Sequence, residues 1–478
     1  GSDWGARDNN GDWPRDRPQN EDPDYERPEP TEAELYEATP HVFMFDNIDI
    51  GHTMSGTGTE EYTNQLPETF DRLPGNRKLD PILMANIKKC GYRQCTPAQR
   101  LALPVLMDSR DLVLMAQTGS GKTASFLIPM IQAILGDGQQ YRTGQPLGIV
   151  LAPTRELCTQ TYDAARKFVA NTGLQVCYAY GGTKSWMQAE KIKKGCDILV
   201  STPGRLKDFM EQGIVDLSGV LHAVLDEADE MLTRGFQEDM YEIFSQMPPK
   251  EQRTTGFFSA TFAEELQGIA ADFMQAEDTA TRYGYVFARI APVKIVPRGI
   301  KQVIEDAGNR DHHQLMQVLC SYLDSSEDAL FLVFVKTKHE AMTLEDELWH
   351  KNYKVAALHG DKSQQAREVA LSKFKARDIH ILIATDVASR GLDICKCDYV
   401  INVGVPQNPD TYIHRIGRTG RCGLEGNAVT LYDGTNLHQL PAIIEVMEKN
   451  EQPVPEWVYR VADRSYQNGK GKGKGKGE

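Results

Sequence analysis

The chain has 478 residues and a formal net charge of −14, with 40% hydrophobic and 25% charged residues. This balance is that of a soluble globular protein and excludes a disordered chain, while the length suits about three domains or two large domains with tails. The longest apolar runs are shorter than the roughly 18 residues that can cross a bilayer, so we expect no membrane span.

The N-terminal region is acidic and poor in apolar residues. Residues 1–40 contain 12 Asp or Glu and 4 Arg, so −8 of the net charge lies there and a basic groove can exist elsewhere. Too few apolar side chains are present to offset the entropy of ordering, which predicts a disordered tail over residues 1–39. Residues 40–64 add aromatic residues and predict an extended segment that docks on the core. The absence of an apolar signal-peptide core from residues 1–30 predicts a cytoplasmic chain.

Short apolar runs then alternate with segments of helical periodicity. The runs DLVLMA, LGIVLAP, DILVST and HAVLDEA are each followed by a loop and a helical pattern, and the same order restarts with ALFLVFV, KVAALHG, IHILIAT and YVINVG. This alternation is typical of parallel α/β sheets. We predict an α/β fold with two tandem parallel-sheet domains, at residues 65–290 and 299–462, joined by a linker at 291–298.

AQTGSGKT, residues 116–123, lies between an apolar strand and a helix. Its glycines let successive backbone N–H groups converge on phosphate oxygens, and the helix N-terminus adds its dipole. Lys122 is placed to reach the β- and γ-phosphates, and Thr123 to ligate Mg²⁺. Ala116 stands where the general GxxxxGKT pattern has its first glycine. The segment predicts a triphosphate site in the first domain, whereas the matching segment of the second domain has no glycines.

HAVLDEADEML, residues 222–232, begins as a buried strand and ends in four closely spaced carboxylates. A triphosphate site needs a carboxylate at the tip of a neighbouring strand, which predicts that Asp226 holds Mg²⁺, directly or through water. Glu227 is then placed to polarise or deprotonate the attacking water. An acidic first helical turn, stabilised by the helix dipole, is the alternative for an isolated DEAD tetrad, but the phosphate loop favours the metal site.

The C-terminal NGKGKGKGKGE predicts a flexible cationic tail over residues 463–478. The nine cysteines are scattered singly, and the closest pair, Cys395 and Cys397, has no second pair to complete a zinc site. Free thiols in a reducing compartment are the expectation.

Four segments occur in a defined order: AQTGSGKT, DEAD at 226–229, SAT at 259–261 and HRIGRTGR at 414–421. Together with GYRQCTPAQ, PTREL, GG, TPGR, QQAR and ATDVASRGLDI, they resemble the motifs of the DEAD-box RNA helicases over roughly residues 65–462. The resemblance implies two tandem RecA-like domains and an RNA-stimulated ATPase that uses ATP and Mg²⁺.

The resemblance also implies how ATP is bound. Gln99 would hydrogen-bond the adenine and Tyr92 would stack on it, although Cys95 replaces the usual proline. The stretch from Phe70 to Gly91 is longer than the family spacing, so Phe70 either contacts adenine or packs in the core. The phosphate contacts would come from Thr118, Gly119, Ser120, Gly121, Lys122 and Thr123.

Arg418 and Arg421 of HRIGRTGR resemble arginine fingers, which are worth roughly 10³–10⁵ in rate. Because they lie in the second domain, hydrolysis would require the domains to close. Asp393 would contact the ribose. The resemblance assigns coupling between the nucleotide and RNA states to Asp229, Ser259, Thr261 and His414.

The remaining motifs begin at or near predicted strand ends, where ligands bind in open α/β sheets. Their hydroxyls, glycines and arginines suit phosphate and sugar oxygens rather than base edges, so RNA binding should be nearly independent of sequence. For any one glycine or threonine, a turn or a helix cap explains the residue equally well. The RNA contacts that the resemblance implies are Thr154, Arg155, Gly182, Thr202, Gly204, Arg205, Arg367, Thr385 and Gly391.

RPEPTEAEL, YGGT, PPKEQRTTGFFSAT, HGDKSQ and PVPEW resemble the Vasa-like germline branch of this family. This implies germline mRNA or small-RNA regulation, with ribonucleoprotein and germ-granule partners in the cytoplasm or in perinuclear germ granules. We expect a monomeric core that binds single-stranded or duplex RNA and unwinds short duplexes when ATP closes the two domains. The alternatives are an ATP-gated RNA clamp that scaffolds granules with little unwinding, and a processive DNA translocase.

Overall fold

The computed structural model describes residues 31, 36, 51–116, 120–137, 143–182, 184–276, 284–291, 299–308, 311–326, 328–386, 397–420 and 425–462. Helices and strands alternate through two regions, each built around its own sheet. No helix in these ranges is long and apolar enough to cross a membrane. The seven cysteines described carry free thiols, and six of them are buried.

The first sheet has eight strands. These are β1 (Gly51–Ser55), β2 (Leu112–Met115), β3 (Gly148–Leu151), β4 (Val176–Ala179), β5 (Ile198–Ser201), β6 (His222–Asp226), β7 (Thr254–Ser259) and β8 (Val286–Ala291). The helices of this region are α1 (Glu60–Thr63), α2 (Pro81–Lys89), α3 (Pro97–Met107), α4 (Lys122–Asp137), α5 (Arg155–Val169), α6 (Ser185–Lys194), α7 (Pro203–Glu211), α8 (Ala228–Thr233), α9 (Gln237–Ser245) and α10 (Glu264–Phe273).

The strand order is β1-β8-β2-β7-β6-β3-β5-β4, and every pairing is parallel except that of β1 with β8. β3 and β5 are buried along their whole length because helices cover both faces of the sheet, which explains their unbroken apolar sequences. Two apolar cores, one on each face, follow from this layering. The parallel arrangement brings the carboxyl ends of β2, β7 and β6 side by side.

The second sheet has six strands in the order β11-β12-β10-β13-β14-β9, all parallel. The strands are β9 (Ile300–Asp306), β10 (Phe331–Val335), β11 (Val355–Leu358), β12 (Ile381–Thr385), β13 (Tyr399–Val403) and β14 (Gly426–Tyr432). The helices are α11 (His312–Leu323), α12 (Lys338–His350), α13 (Gln364–Lys375), α14 (Pro409–Ile416) and α15 (Leu440–Lys449). The predicted fold class, two tandem parallel-sheet α/β domains, is confirmed.

Several helices begin at side-chain caps that the sequence supplies. Asp80 accepts hydrogen bonds from the backbone N–H groups of the first turn of α2. Thr96 and Gln99 form a reciprocal capping box at the start of α3. Thr154 accepts a hydrogen bond from the N–H of Leu157 at the start of α5. Such caps contribute about 1 kcal/mol each and place each helix start directly after a strand or a loop.

The segment before the first parallel strand packs on the domain in two places. Tyr36, which falls within the tail predicted to be disordered, donates its hydroxyl to the carbonyl of Lys167 (2.8 Å) and lies under the Lys89 ammonium at 3.9 Å. Strand β1 pairs antiparallel along β8. Apart from Thr31 and Tyr36, residues 1–50 lie outside the described residues, as do residues 292–298 and 463–478, so those boundaries remain predictions.

Arg110 fastens the β1 region to the domain. Its side chain is 7% exposed and donates to the carbonyls of Gly284 (3.0 Å) and Thr57 (2.6 Å). These charge-assisted bonds join the turn that follows β1 to the segment that precedes β8.

We therefore expect Arg110→Ala to lower the free energy of unfolding by about 2 kcal/mol, because the buried carbonyl of Gly284 and the more exposed carbonyl of Thr57 both lose a charged donor. Hydrogen exchange should accelerate first at the β1 amides. The exposed Arg93→Ala is the matched control and should change neither quantity. Unchanged β1 protection in the Arg110 variant would contradict this role.

Candidate functional site

The phosphate loop lies where β2 ends and α4 begins. Lys122, the first residue of α4, is 7% exposed and donates its ammonium to the carbonyl of Ala116 (2.8 Å). Ala116 itself is buried: its methyl group packs in the core, and its carbonyl accepts the hydrogen bond from Lys122. The hydroxyl of Ser120 is buried and has no hydrogen-bond partner among the residues that the structure describes, which suits it to a phosphate oxygen.

The backbone angles and the close packing at position 121 require a glycine. Its φ is +85°, and a Cβ there would lie 2.7 Å from Thr96 Oγ1. Gln99, fully buried, donates its Nε2 to the Gly121 carbonyl at 3.4 Å while its Oε1 accepts from the N–H of Thr96. The predicted adenine-binding glutamine thus touches the phosphate loop. Thr118 and Gly119 lie outside the described residues.

The aromatic residues of the predicted adenine site form a cluster. Phe70 is 3% exposed and packs edge-on against Tyr92, whose ring also meets Phe168. Phe70 therefore packs in the core, which is one of its two expected roles. Burial raises the pKa of the Tyr92 phenol well above its ordinary value. Cys95, in place of the usual proline, donates its N–H to the carbonyl of Glu68, a bond that proline could not make.

Strand β6 delivers two carboxylates beside the phosphate loop. Asp226 is 2% exposed and accepts a hydrogen bond from the N–H of Glu227. Glu227 has the left-handed backbone angles φ 51° and ψ 51°, which are unfavourable for a residue with a Cβ. The chain turns sharply here, and such strain concentrates at functional sites.

The electrostatic environment draws on both domains. Burial raises the pKa of Asp226 to about 6, while the Lys122 ammonium opposes the rise. Burial and the charge of Asp226 raise the pKa of Glu227 to about 7, and the cations Lys122 and Arg418 oppose this rise. Arg418, which follows α14 in the second domain, is 7% exposed. A carboxyl with a pKa near neutrality is suited to general-base chemistry.

A hydrogen-bonded network connects the acidic strand end to the SAT segment. The carboxylate of Asp229 accepts from the N–H (3.1 Å) and from the hydroxyl (2.8 Å) of Thr261. The Asp229 N–H donates to Ser259 Oγ at 3.3 Å, and the Ser259 carbonyl accepts from the N–H of Ala116. The structure thus brings together three of the four predicted coupling residues, while the fourth, His414, lies in α14.

Arg415 was not singled out by the sequence motifs. Its guanidinium makes two hydrogen bonds to the Asp386 carboxylate, at 2.6 and 2.7 Å, and a third to Asn402 at 3.2 Å. It also lies over the ring of Phe334. This buried arginine joins the end of β12 to α14, which precedes Arg418. The run of three arginines in HRIGRTGR was the available signal, but only two were assigned a role.

The predicted RNA contacts of the first domain lie at the ends of three neighbouring strands. Thr154 follows β3, Thr202 follows β5, and Gly182 follows β4. The Arg155 guanidinium packs directly on Gly182, where a Cβ would lie 1.9 Å from Nη1 and where φ is +81°. The Thr154 hydroxyl caps α5, so a cap accounts for at least part of its role.

Two further predicted contacts belong to α7. Gly204 is exposed, and nothing lies within 4 Å of the position that a Cβ would occupy. Arg205 Nε lies 3.5 Å from Asp208 Oδ2, and its guanidinium is over the Phe209 ring. Burial lowers the pKa of Arg205. The structure brings Arg205 onto the same edge as Thr202.

A salt bridge joins the two domains. Arg367 Nη1, on α13, lies 2.6 Å from Oε1 of Glu156, on α5. The Glu156 side chain is 6% exposed, so this pair is shielded from solvent. The sequence motifs predicted that Arg367 contacts RNA, but they gave no role to Glu156. In the second domain Thr385 ends β12 and is 8% exposed. Gly391, Asp393 and Arg421 lie outside the described residues.

Thr123 and Asp226 offer the hydroxyl and carboxylate oxygens that Mg²⁺ prefers. Within the described ranges there is no group of three or more His, Cys, Asp or Glu residues that could hold a metal ion. Thr123 and Asp226 therefore suit a cation whose other ligands are the phosphates of a nucleotide and water, rather than a cation bound by protein groups alone.

Two known families match the chain. Residues 96–269 match the DEAD/DEAH box helicases, and residues 314–423 match the helicase conserved C-terminal domain. S. cerevisiae Dbp5 bound to RNA and ADP BeF3 is 26% identical with a TM-score of 0.66, over 83% of this chain and 100% of that chain. The yeast DEAD-box splicing factor Prp28 is 29% identical, with a TM-score of 0.45, over 86% of this chain and 92% of that chain.

A DEAD box protein from the hyperthermophile Methanococcus jannaschii is 31% identical. The match has a TM-score of 0.44 and covers 81% of this chain and 98% of that chain.

The strained backbone at Glu227 leads to a prediction about stability. Glu227→Gly should raise the Tm of the nucleotide-free protein by roughly 2–4 °C, because it relieves about 1 kcal/mol of strain and removes a carboxylate repelled by Asp226. The same variant should lose ATP hydrolysis. Thermal unfolding at neutral pH and a phosphate-release assay measure the two effects.

Two controls separate the causes. Glu227→Gln removes the charge but keeps the strained backbone, so its Tm should rise less. Ser109→Gly relieves a left-handed residue (φ 54°) in an exposed loop and reports the effect of strain alone. A lower Tm in Glu227→Gly than in the unchanged protein would refute the proposed strain.

Proposed function

We propose that this chain, which belongs to the DEAD-box family of ATP-dependent RNA helicases and has their ATPase activity, unwinds short RNA duplexes locally. It does so by closing its two domains around ATP and one RNA strand. The observation that carries the proposal is that the positive charge of Arg418, in the second domain, acts on the pKa of Glu227, in the first, while the Arg367–Glu156 ion pair holds the two domains in contact. An ATPase site divided in this way works only when the domains are together.

In the proposed mechanism each residue has a distinct task. Lys122 and the N–H groups of the phosphate loop bind the β- and γ-phosphates. Glu227 orients a water molecule and accepts its proton, for which its raised pKa is suited. Arg418 stabilises the charge that develops on the transferred phosphoryl group, as arginine fingers do. Mg²⁺, held by Thr123 and Asp226, would neutralise charge on the phosphates.

RNA binding is proposed at the strand-end surface of the first domain, completed by α13 of the second. Arg155, Arg205 and Arg367 are cations suited to phosphates, and the glycines and threonines beside them suit backbone oxygens. Because none of these groups is arranged to read base edges, we expect affinity to depend little on sequence. A strand bent to fit both domains could not keep its complement, which would separate a short duplex.

ATP and RNA each favour the closed pair of domains, so each should increase the affinity of the other. The network from Asp229 through Ser259 and Thr261 supports this coupling, because it joins the acidic strand end to the loop beyond β7. After hydrolysis, the contacts of Arg418 with the γ-phosphate are lost. The domains then open and release the RNA.

The Vasa-like motifs support a narrower proposal. We place the protein in germline mRNA or small-RNA regulation, with ribonucleoprotein and germ-granule partners in the cytoplasm or in perinuclear granules. Expression confined to germ cells and co-localisation with granule markers are the expected observations. A uniform distribution across somatic tissues would contradict the germline assignment.

Steady-state ATP hydrolysis should be low alone and should rise strongly with single-stranded RNA. Arg418→Ala should lower the stimulated rate by roughly 10³-fold, because the transition state loses its cation from the second domain. Arg460→Ala, at an exposed position of the same domain, is the matched control and should keep full activity.

Equal rates with and without RNA would show that the two domains are uncoupled. Stimulated hydrolysis without separation of a short duplex would instead favour the ATP-gated RNA clamp. Equal stimulation by DNA would favour the translocase.

Gly182→Ala tests the RNA surface. The new methyl group must displace the Arg155 guanidinium, so RNA affinity should fall about tenfold or more while ATP affinity stays unchanged. Gly136→Ala, in α4 and with open space around it, is the control. Fluorescence anisotropy with a labelled oligonucleotide measures the change. Unchanged RNA affinity in Gly182→Ala would show that Arg155 does not contribute to RNA binding.

A further inference from the structure

We propose that single-stranded RNA leaving the cleft continues onto the outer face of α6, where one base stacks on Trp186 and the adjacent phosphates meet the lysines of this helix. The inference rests on the proposed RNA binding by the strand-end surface and extends it beyond the known motifs. It assigns a nucleic-acid contact to residues 184–194.

Trp186 is the most exposed large hydrophobic side chain in the described part of the chain, at 56%. It lies in the first turn of α6, and its indole ring projects from a helix whose other face is buried through Gln188, Ala189 and Ile192. The Lys184 ammonium is 6.0 Å from the ring centroid. An indole left in water beside a cation is suited to stacking, since every base offers a π face.

The position continues the proposed RNA surface. Strands β3, β5 and β4 are neighbours in this order, and β4 is the outermost strand of the sheet. Thr154, Thr202 and Gly182 mark their carboxyl ends. Trp186 follows Gly182 by four residues, at the start of the helix that leaves this edge. A strand that follows the three ends outward therefore arrives at Trp186.

The charge of the segment matches this partner. Residues 184–194 contain four lysines and one glutamate, although the whole chain has a net charge of −14. Lys193 and Lys194 are exposed in the last turn, and Glu190 is the one carboxylate of the segment. With a rise of about 1.5 Å per residue, Lys193 lies roughly 10 Å along the helix from Trp186, on the same face.

An apolar protein partner fits this surface less well. Apart from Trp186, the exposed residues of α6 are Ser185, Glu190, Lys193 and Lys194, so the solvent-facing side of this helix is polar. A protein interface is instead expected to have a buried apolar core. A lone aromatic ring among lysines is the combination found where proteins bind single strands without reading the sequence.

The experiment first finds the shortest oligouridine that fully stimulates ATP hydrolysis and then extends it at the 5′ or the 3′ end. Trp186→Ala should bind the shortest oligonucleotide as well as the unchanged protein does. It should lose about tenfold in affinity for the RNA extended at one of the two ends. Trp186→Phe should recover most of this loss, because a phenyl ring also stacks.

Trp349→Ala, at an exposed tryptophan of the second domain, is the matched control and should bind both RNAs normally. Equal affinity of Trp186→Ala and the unchanged protein for RNA extended at either end would overturn the inference. The proposed function fails separately, since then no oligonucleotide would stimulate hydrolysis by the unchanged protein. A weaker affinity for the shortest oligonucleotide would also overturn it, because Trp186 would then belong to the cleft itself.

Discussion

The end of β6 imposes the constraint on which the rest of the site depends. Asp226 is buried and the adjacent Glu227 is half-buried, so two like charges share a region where solvent only partly separates them. Such charges persist only when cations are close. One cation, Lys122, comes from the same domain, and the other, Arg418, comes from the second domain. The electrostatic balance of the ATP site is therefore a property of both domains together.

Contacts within each domain and between the two domains connect this site to the rest of the structure. Asp229 receives two hydrogen bonds from Thr261, and the Ser259 carbonyl accepts a hydrogen bond from the N–H of Ala116 at the start of the phosphate loop. On the second domain, the ion pair of Arg415 with Asp386 holds α14 against β12, and so supports the backbone that leads to Arg418. The solvent-shielded pair of Glu156 and Arg367 adds a contact between the domains next to the proposed RNA surface.

Much of this architecture could be predicted from local sequence. Apolar runs that end in glycine, threonine or acidic residues indicated parallel strands and their functional ends, because that pattern depends only on neighbouring residues. The core position of Phe70 could not be decided in advance, since it depends on packing against Tyr92. Glu156 and Arg415 were missed because their partners lie far away in the sequence. The strand β1 was expected only as an extended segment, since its pairing with β8 spans more than 200 residues.

Whether ATP and RNA act through one closed state is tested by measuring how each ligand changes the affinity of the other. The affinity for a non-hydrolysable ATP analogue should be measured with and without single-stranded RNA, and the affinity for RNA with and without the analogue. We expect each ligand to increase the affinity of the other by the same factor, on the order of 5- to 150-fold. A factor of one in both directions would contradict it, because the two sites would then be independent.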